Sequence, residues 1–149
     1  MKARLDFHAV RPEAVKPLIA AEQWLARCGL EATLAELVRL RASQINGCAY
    51  CVDMHAHDAA RGGESARRLA ALVVWREAPF FSARERAALA WTEALTLVAS
   101  TQVPDDVWHA VREHFSEAEI VDLSLLVATI NSWNRLALAF RSQPGAGAA

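Results

Sequence analysis

The sequence lacks any apolar run of the roughly 18–20 residues that a membrane helix needs, because an Arg or Glu interrupts every candidate. Its first residues, MKARLDFHAVRPE, lack the unbroken apolar stretch of a secretory signal. Positive charge is not in surplus: 16 Lys and Arg stand against 17 Asp and Glu, a formal net charge of -1. A broad nucleic-acid-binding surface is therefore not expected. No stretch alternates polar and apolar residues over six positions, and no Asn-Gly is flanked by strand-like runs, which argues against β-structure. There is no internal repeat and no linker. Three cysteines, an odd number, cannot form a full structural disulfide set. These absences predict a cytoplasmic protein without nucleic-acid or membrane partners, in a compartment where disulfides are rare unless they do chemistry.

What is present points to helices. The 149 residues are 54% hydrophobic and 22% charged, enough for one domain spanning 1–149 with a sizeable core. Alanine, the best helix former, is the commonest residue. The punctuation predicts an all-α fold of about seven helices. The first runs from Pro12 to Cys28, with Pro17 predicting an irregular first turn. The second runs from Glu31 to Ile45, where Asn46-Gly47 breaks it. The third begins at Cys48 and ends at Gly62-Gly63. The fourth covers Glu64 to Trp75. Ser82-Ala83-Arg84-Glu85 and Ser116-Glu117-Ala118-Glu119 are capping-box patterns. They open a fifth helix, to about Ser100, and a seventh, to about Arg141; a short sixth runs from Pro104 to His114. The tail Gln143 to Ala149 should fray.

The chemistry concentrates in Gly47-Cys48-Ala49-Tyr50-Cys51-Val52-Asp53-Met54-His55. Cys48 opens a helix, where unpaired N–H groups and the helix dipole favour a thiolate, the nucleophilic form of cysteine. Cys51 lies three residues on and faces it. Helix geometry puts their Cα atoms about 5 Å apart, within the disulfide range. His55 follows one turn later and can take a thiol proton. Zinc would need a fourth ligand recruited from elsewhere, since the sequence has no second CxxC. Haem attachment needs His directly after the second Cys, and Val52 stands there. An inert, packed pair is the plainest alternative.

A carboxylate to orient His55 could come from Asp53, Asp58 or Glu36. If the helices on either side of Gly47 pack antiparallel, the rise of about 1.5 Å per residue puts Cys51 about 6 Å, His55 about 12 Å and Glu36 about 16 Å above the turn. That order suits a relay from thiol to imidazole to carboxylate. The competing expectation for Glu36 is an ion pair with Arg39 or Arg41. Which thiol attacks is left open by the residues alone: the helix end favours Cys48, the imidazole Cys51.

The stretch from Glu36 through Cys48 and Cys51 to His55 resembles the core of the alkylhydroperoxidase D-like (AhpD-like) proteins, within the carboxymuconolactone decarboxylase family. The match covers about Leu34 to Gly63, and Ala87 to Leu97 and Ala128 to Leu138 resemble a peroxidase-related branch. The resemblance implies an all-α protein that assembles as a trimer or hexamer. It implies a thiol peroxidase and disulfide oxidoreductase working without haem, flavin or other cofactor and without a metal. Its substrate would be a hydroperoxide, its reductant an external dithiol such as a lipoylated protein. It also implies that Cys51 attacks, Cys48 resolves, and Glu36 with His55 forms the proton relay. Tyr50 stands where some members have a histidine, and His57, on the far side of the helix, does not replace it.

Two other activities remain expectations to be tested: a decarboxylase of aromatic catabolism, which needs no redox Cys pair, and a non-enzymatic stress protein on the same fold. Cys28 is expected to be a packed thiol, and His8, His109 and His114 surface or packing residues. The tryptophans Trp24, Trp75, Trp91, Trp108 and Trp133 are core or interface candidates. Asn131, Trp133, Asn134 and Arg135 are expected to form a buried polar helix contact.

Overall fold

The computed structural model describes residues 2–145, and every described element is helical. They are α1 (Phe7–Val10), α2 (Pro12–Leu25), α3 (Ala32–Asn46), α4 (Ala49–Arg61), α5 (Ala66–Ala71), α6 (Ala83–Thr96), α7 (Val98–Thr101), α8 (Asp105–Arg112) and α9 (Glu117–Phe140), with a 3-10 turn at Leu72–Val74. The seven expected helices are all there. The count rises because Asp6 caps a one-turn helix at Phe7–Val10, and because the fifth predicted helix breaks at Leu97, leaving Val98–Thr101 as a separate turn. The fourth tightens into the 3-10 turn instead of running on to Trp75. Helix α2 continues through Pro17, so the expected irregularity is not seen. Of the tail, residues 146–149 lie outside the described part. Among the described residues no helix is long and apolar enough to cross a membrane.

Both capping boxes form as read. Ser82 accepts from the Glu85 N–H while the Glu85 carboxylate accepts from the Ser82 N–H, and Ser116 and Glu119 do the same at α9. Helix α3 is the hub, packed against α4, α6 and α9. On one flank Val38, Ala88, Trp91, Leu123 and Val127 share a core. On another, Leu37, Leu40, Leu72, Trp75 and Leu89 close the 3-10 turn against α3 and α6. A third, small cluster joins Cys48 and Cys51 to Ala137 of α9. This last contact seats the start of α4.

A buried polar seam fixes α3 against α9. The Asn46 amide donates to the side-chain oxygens of Asn131 (3.0 Å) and Asn134 (2.8 Å). Asn134, fully buried, donates to Ser43 Oγ at 3.1 Å, and Ser43 donates to the Arg39 carbonyl. Arg135 Nη1 donates to the carbonyl and side-chain oxygens of Asn131 from the exposed face. No buried side-chain polar atom is left without a partner among the described residues, as a dry interior requires.

Candidate active site

The turn between α3 and α4 is built around Gly47, whose φ of 70° lies in the left-handed region that glycine enters without strain. It delivers Cys48 as the N-cap of α4. The Cys51 N–H donates to Cys48 Sγ at 3.3 Å, so Cys48 occupies the anion-favouring end of the helix. Cys48 and Cys51 form a disulfide with Cα atoms 5.3 Å apart, the separation expected for residues three apart on a helix. Both are almost completely buried, at 1% and 2% exposure. Cys28 is a free, half-buried thiol whose S–H donates to the Leu25 carbonyl.

Cys51 faces a cavity of about 520 Å³, and Cys48 does not line it. The remaining walls come from α1, α2, α3, α4 and α9. His55, buried on the same side of α4, places Nδ1 2.9 Å from Glu36 Oε2. Of the three candidate carboxylates, Glu36 is the one that reaches the imidazole. Asp58 is exposed at the cavity wall, and Asp53 is exposed on α4 outside the lining.

Glu36 touches both of its expected partners at once. One carboxylate oxygen meets His55; the other accepts from Arg39 Nη1 at 2.7 Å. Arg39 is in turn held by Glu22 at 2.8 Å, and Glu22 accepts from Trp133 Nε1 at 3.2 Å. A continuous chain of hydrogen bonds thus runs from α9 through α2 and α3 to the imidazole on α4. Burial pushes the Glu36 carboxyl up. The hydrogen bond and charge of His55, and those of Arg39, outweigh this and hold it below the ordinary carboxylate range. An ionised Glu36 accepts from Nδ1–H and so leaves the Nε2 lone pair of His55 free for a proton.

Three residues of this site were not singled out from sequence. The sequence marks Arg39 only as a partner for Glu36, and no local pattern marks Glu22. His8, expected to be a surface or packing residue, stacks on Trp133 with ring centroids 6.0 Å apart and lines the cavity. Its α1 segment is pinned to the end of α9 by Arg4, whose N–H donates to the Phe140 carbonyl at 2.9 Å. His109 is exposed, and the half-buried His114 lies in the link to α9; neither lines the cavity. Tyr50 lines the cavity beside Cys51, while His57 is exposed and outside it, as its helical position predicts. Trp75 and Trp91 are core residues, whereas Trp24 is 47% exposed with its indole N–H on Asp122.

Glu36, His55 and Asp58 also bring three possible ligand atoms within 4.8 Å of one another. Two of these groups already satisfy each other by a hydrogen bond, and Arg39 takes the remaining Glu36 oxygen.

Comparison with known proteins places the chain in a family. The profile of the carboxymuconolactone decarboxylase family matches residues 12–94. The uncharacterized protein YdfG of Bacillus subtilis is 42% identical over 139 residues, 93% of this chain and 95% of its own length. A protein of unknown function from Agrobacterium tumefaciens, a candidate antioxidant defence protein AhpD, is 43% identical with a TM-score of 0.93, over 96% of this chain and 98% of its own. An uncharacterized peroxidase-related protein from Silicibacter sp. TM1040 is 26% identical with a TM-score of 0.81, over 93% of this chain and 74% of its own. The chain belongs to the carboxymuconolactone decarboxylase family and is one of its AhpD-like members.

Proposed function

We propose that the protein is a thiol-dependent hydroperoxidase that cycles its Cys48–Cys51 pair between dithiol and disulfide. The observation that carries this reading is a disulfide opened onto a cavity through Cys51 alone, one helical turn from an imidazole oriented by an ionised carboxylate. In the reduced protein, His55 Nε2 takes the Cys51 proton. The thiolate attacks the terminal oxygen of a hydroperoxide, the O–O bond breaks, and the alkoxide leaves as an alcohol with the proton held on His55. Cys51 is now a sulfenic acid. The Cys48 thiolate attacks the Cys51 sulfur, water leaves, and the disulfide forms. An external dithiol restores both thiols by exchange and is itself oxidised to a disulfide. The net change is hydroperoxide plus dithiol to alcohol, water and disulfide.

The two thiols divide the labour in this scheme. Cys48 is capped by the Cys51 N–H and shielded from the cavity, which suits resolution; Cys51 is the sulfur a substrate can reach. The decisive assay is peroxide consumption with dihydrolipoamide and other dithiols as reductant. Turnover that stops in Cys51→Ser supports the reading. A protein that consumes no peroxide and keeps both thiols under mild oxidation would belong to the decarboxylase or non-enzymatic class instead. The same reading includes a trimer or hexamer, with exposed Trp24, Val121 and Leu125 as apolar surface available to an interface. Light scattering should give a mass well above the 16.3 kDa of one chain.

A further inference from the structure

The lining of the cavity in front of Cys51 has two components. Phe7, Ile19, Met54 and Trp133 are apolar or aromatic. Glu22, Glu36 and Asp58 bring three carboxylates against one guanidinium, that of Arg39. Arg39 offers an incoming anion little, since both faces of its guanidinium fork are already bound to Glu22 and Glu36. Asp58 is different from its neighbours. It is exposed, its carboxylate makes no hydrogen bond or ion pair among the described residues, and it also lines a second cavity of about 280 Å³ together with Glu36 and Glu64. Its carboxylate stands at the cavity lining within 4.8 Å of the Glu36 and His55 polar atoms.

We propose that this cavity selects its reactants by charge. It admits bulky, uncharged, apolar molecules and turns away those carrying a carboxylate. The proposal deepens the peroxidase reading, because it rests on Cys51 as the reacting thiol. It names the substrate class as neutral alkyl or aryl hydroperoxides rather than hydroperoxides of free fatty acids. It also disfavours an anionic thiol such as glutathione as reductant. A volume of about 520 Å³ lies within the range of small-molecule sites, and the apolar side chains supply the attraction. The carboxylates supply the discrimination. For charges about 8 Å apart, one unit charge changes the local concentration of an ion by about twofold in bulk-water dielectric and about thirtyfold at an effective dielectric of 20.

The test uses thiol alkylation, which needs no peroxidase activity. In the full-length protein with Cys28→Ser and Cys48→Ser, Cys51 is the remaining thiol. Its thiolate displaces iodide from neutral iodoacetamide or anionic iodoacetate, forming a thioether in each case. The ratio of the two rates cancels the thiolate fraction and reports charge selection alone. We expect that ratio to exceed the value for a small free cysteine amide by about tenfold at low salt. It should fall severalfold in Asp58→Asn and again at high salt, where screening shortens the reach of the field. A ratio equal to that of the free thiol, or one unmoved by Asp58→Asn and salt, overturns the proposal. Cumene hydroperoxide and its para-carboxylate then separate the two readings. If alkylation is charge-selective but neither peroxide is consumed, the peroxidase reading fails and the charge filter stands. If both are consumed at equal rates and alkylation is unselective, the filter fails and the peroxidase reading stands.

Discussion

Two arginine-centred clusters in this molecule look alike and do different things. Arg84 binds Glu31 at 2.9 Å and Glu119 at 2.6 Å, and its guanidinium lies 3.8 Å from the centre of the Phe115 ring. Arg39 binds Glu36 at 2.7 Å and Glu22 at 2.8 Å. In the Arg84 cluster the carboxylates are spent on the guanidinium and on the Ser116 N–H and hydroxyl. Glu119 accepts from the Ser116 N–H and from Arg84, which together lower its pKa to about 2. Nothing there changes protonation near neutral pH, so the cluster fastens α3, α6 and α9 and no more. In the Arg39 cluster one oxygen of Glu36 is left over from the arginine and given to an imidazole one helical turn from the Cys48–Cys51 disulfide, at a cavity. The lesson is that similar ion clusters differ by what they are wired to: one ends on other fixed partners, the other on an imidazole at a cavity.

Breaking the Arg39 side should give the largest effects. Cys51→Ser and Cys48→Ser should each abolish dithiol-dependent peroxide turnover, while Cys28→Ser, outside the cavity, should stay within about twofold of wild type in the same assay. Next, His55→Ala should lower turnover near neutral pH by about 10²–10⁴-fold. Glu36→Gln should cost less, because its influence passes through the imidazole.

Purely structural changes should be smaller and should leave the chemistry alone. Asn134→Ala removes a buried partner from Asn46 and Ser43 and should destabilise the protein by about 1–3 kcal/mol in urea unfolding. The Arg84 side should respond least. Glu119→Gln keeps a capping-box side chain and removes the charge, so it should cost about 0.2–1 kcal/mol at pH 7. The folded pKa of Glu119 is depressed from 4.5 to about 2, so its ionised form stabilises the fold above pH 4.5. That contribution is lost as pH falls from 4.5 through 2, and the unfolding midpoints of wild type and Glu119→Gln should converge over this window.

Much of the fold was legible because its signals are local. Ser82 with Glu85, Ser116 with Glu119, and Asn46-Gly47 each settle a boundary from within four residues, and all three form as read. The thiol–imidazole–carboxylate order was legible because α3 and α4 are antiparallel about one glycine, so axial rise alone nearly aligns Glu36 with His55. The side chains close the remaining difference of about 4 Å. What could not be read joins residues remote in sequence. Glu22 meets Trp133 across 111 positions, and Asn46 meets Asn134 across 88. Such contacts depend on crossing angles that no local pattern encodes. His8 is exposed and packed, as expected, but its place in the cavity lining is not legible locally, because its stacking on Trp133 arises only when α1 lies against α9.

The central claim, that Glu36 and His55 tune the Cys51 thiol, is tested most directly by the pH dependence of Cys51 alkylation with iodoacetamide. Wild type, His55→Ala and Glu36→Gln would be compared, each with Cys28 and Cys48 replaced by Ser. The account predicts that His55→Ala raises the apparent thiol pKa toward the unperturbed value of about 8.5, with Glu36→Gln in between and the lost reactivity recovered at high pH. Superimposable profiles for the three proteins would contradict it and would return Glu36 and Arg39 to the standing of Arg84 and Glu119, an ion cluster that only holds helices together.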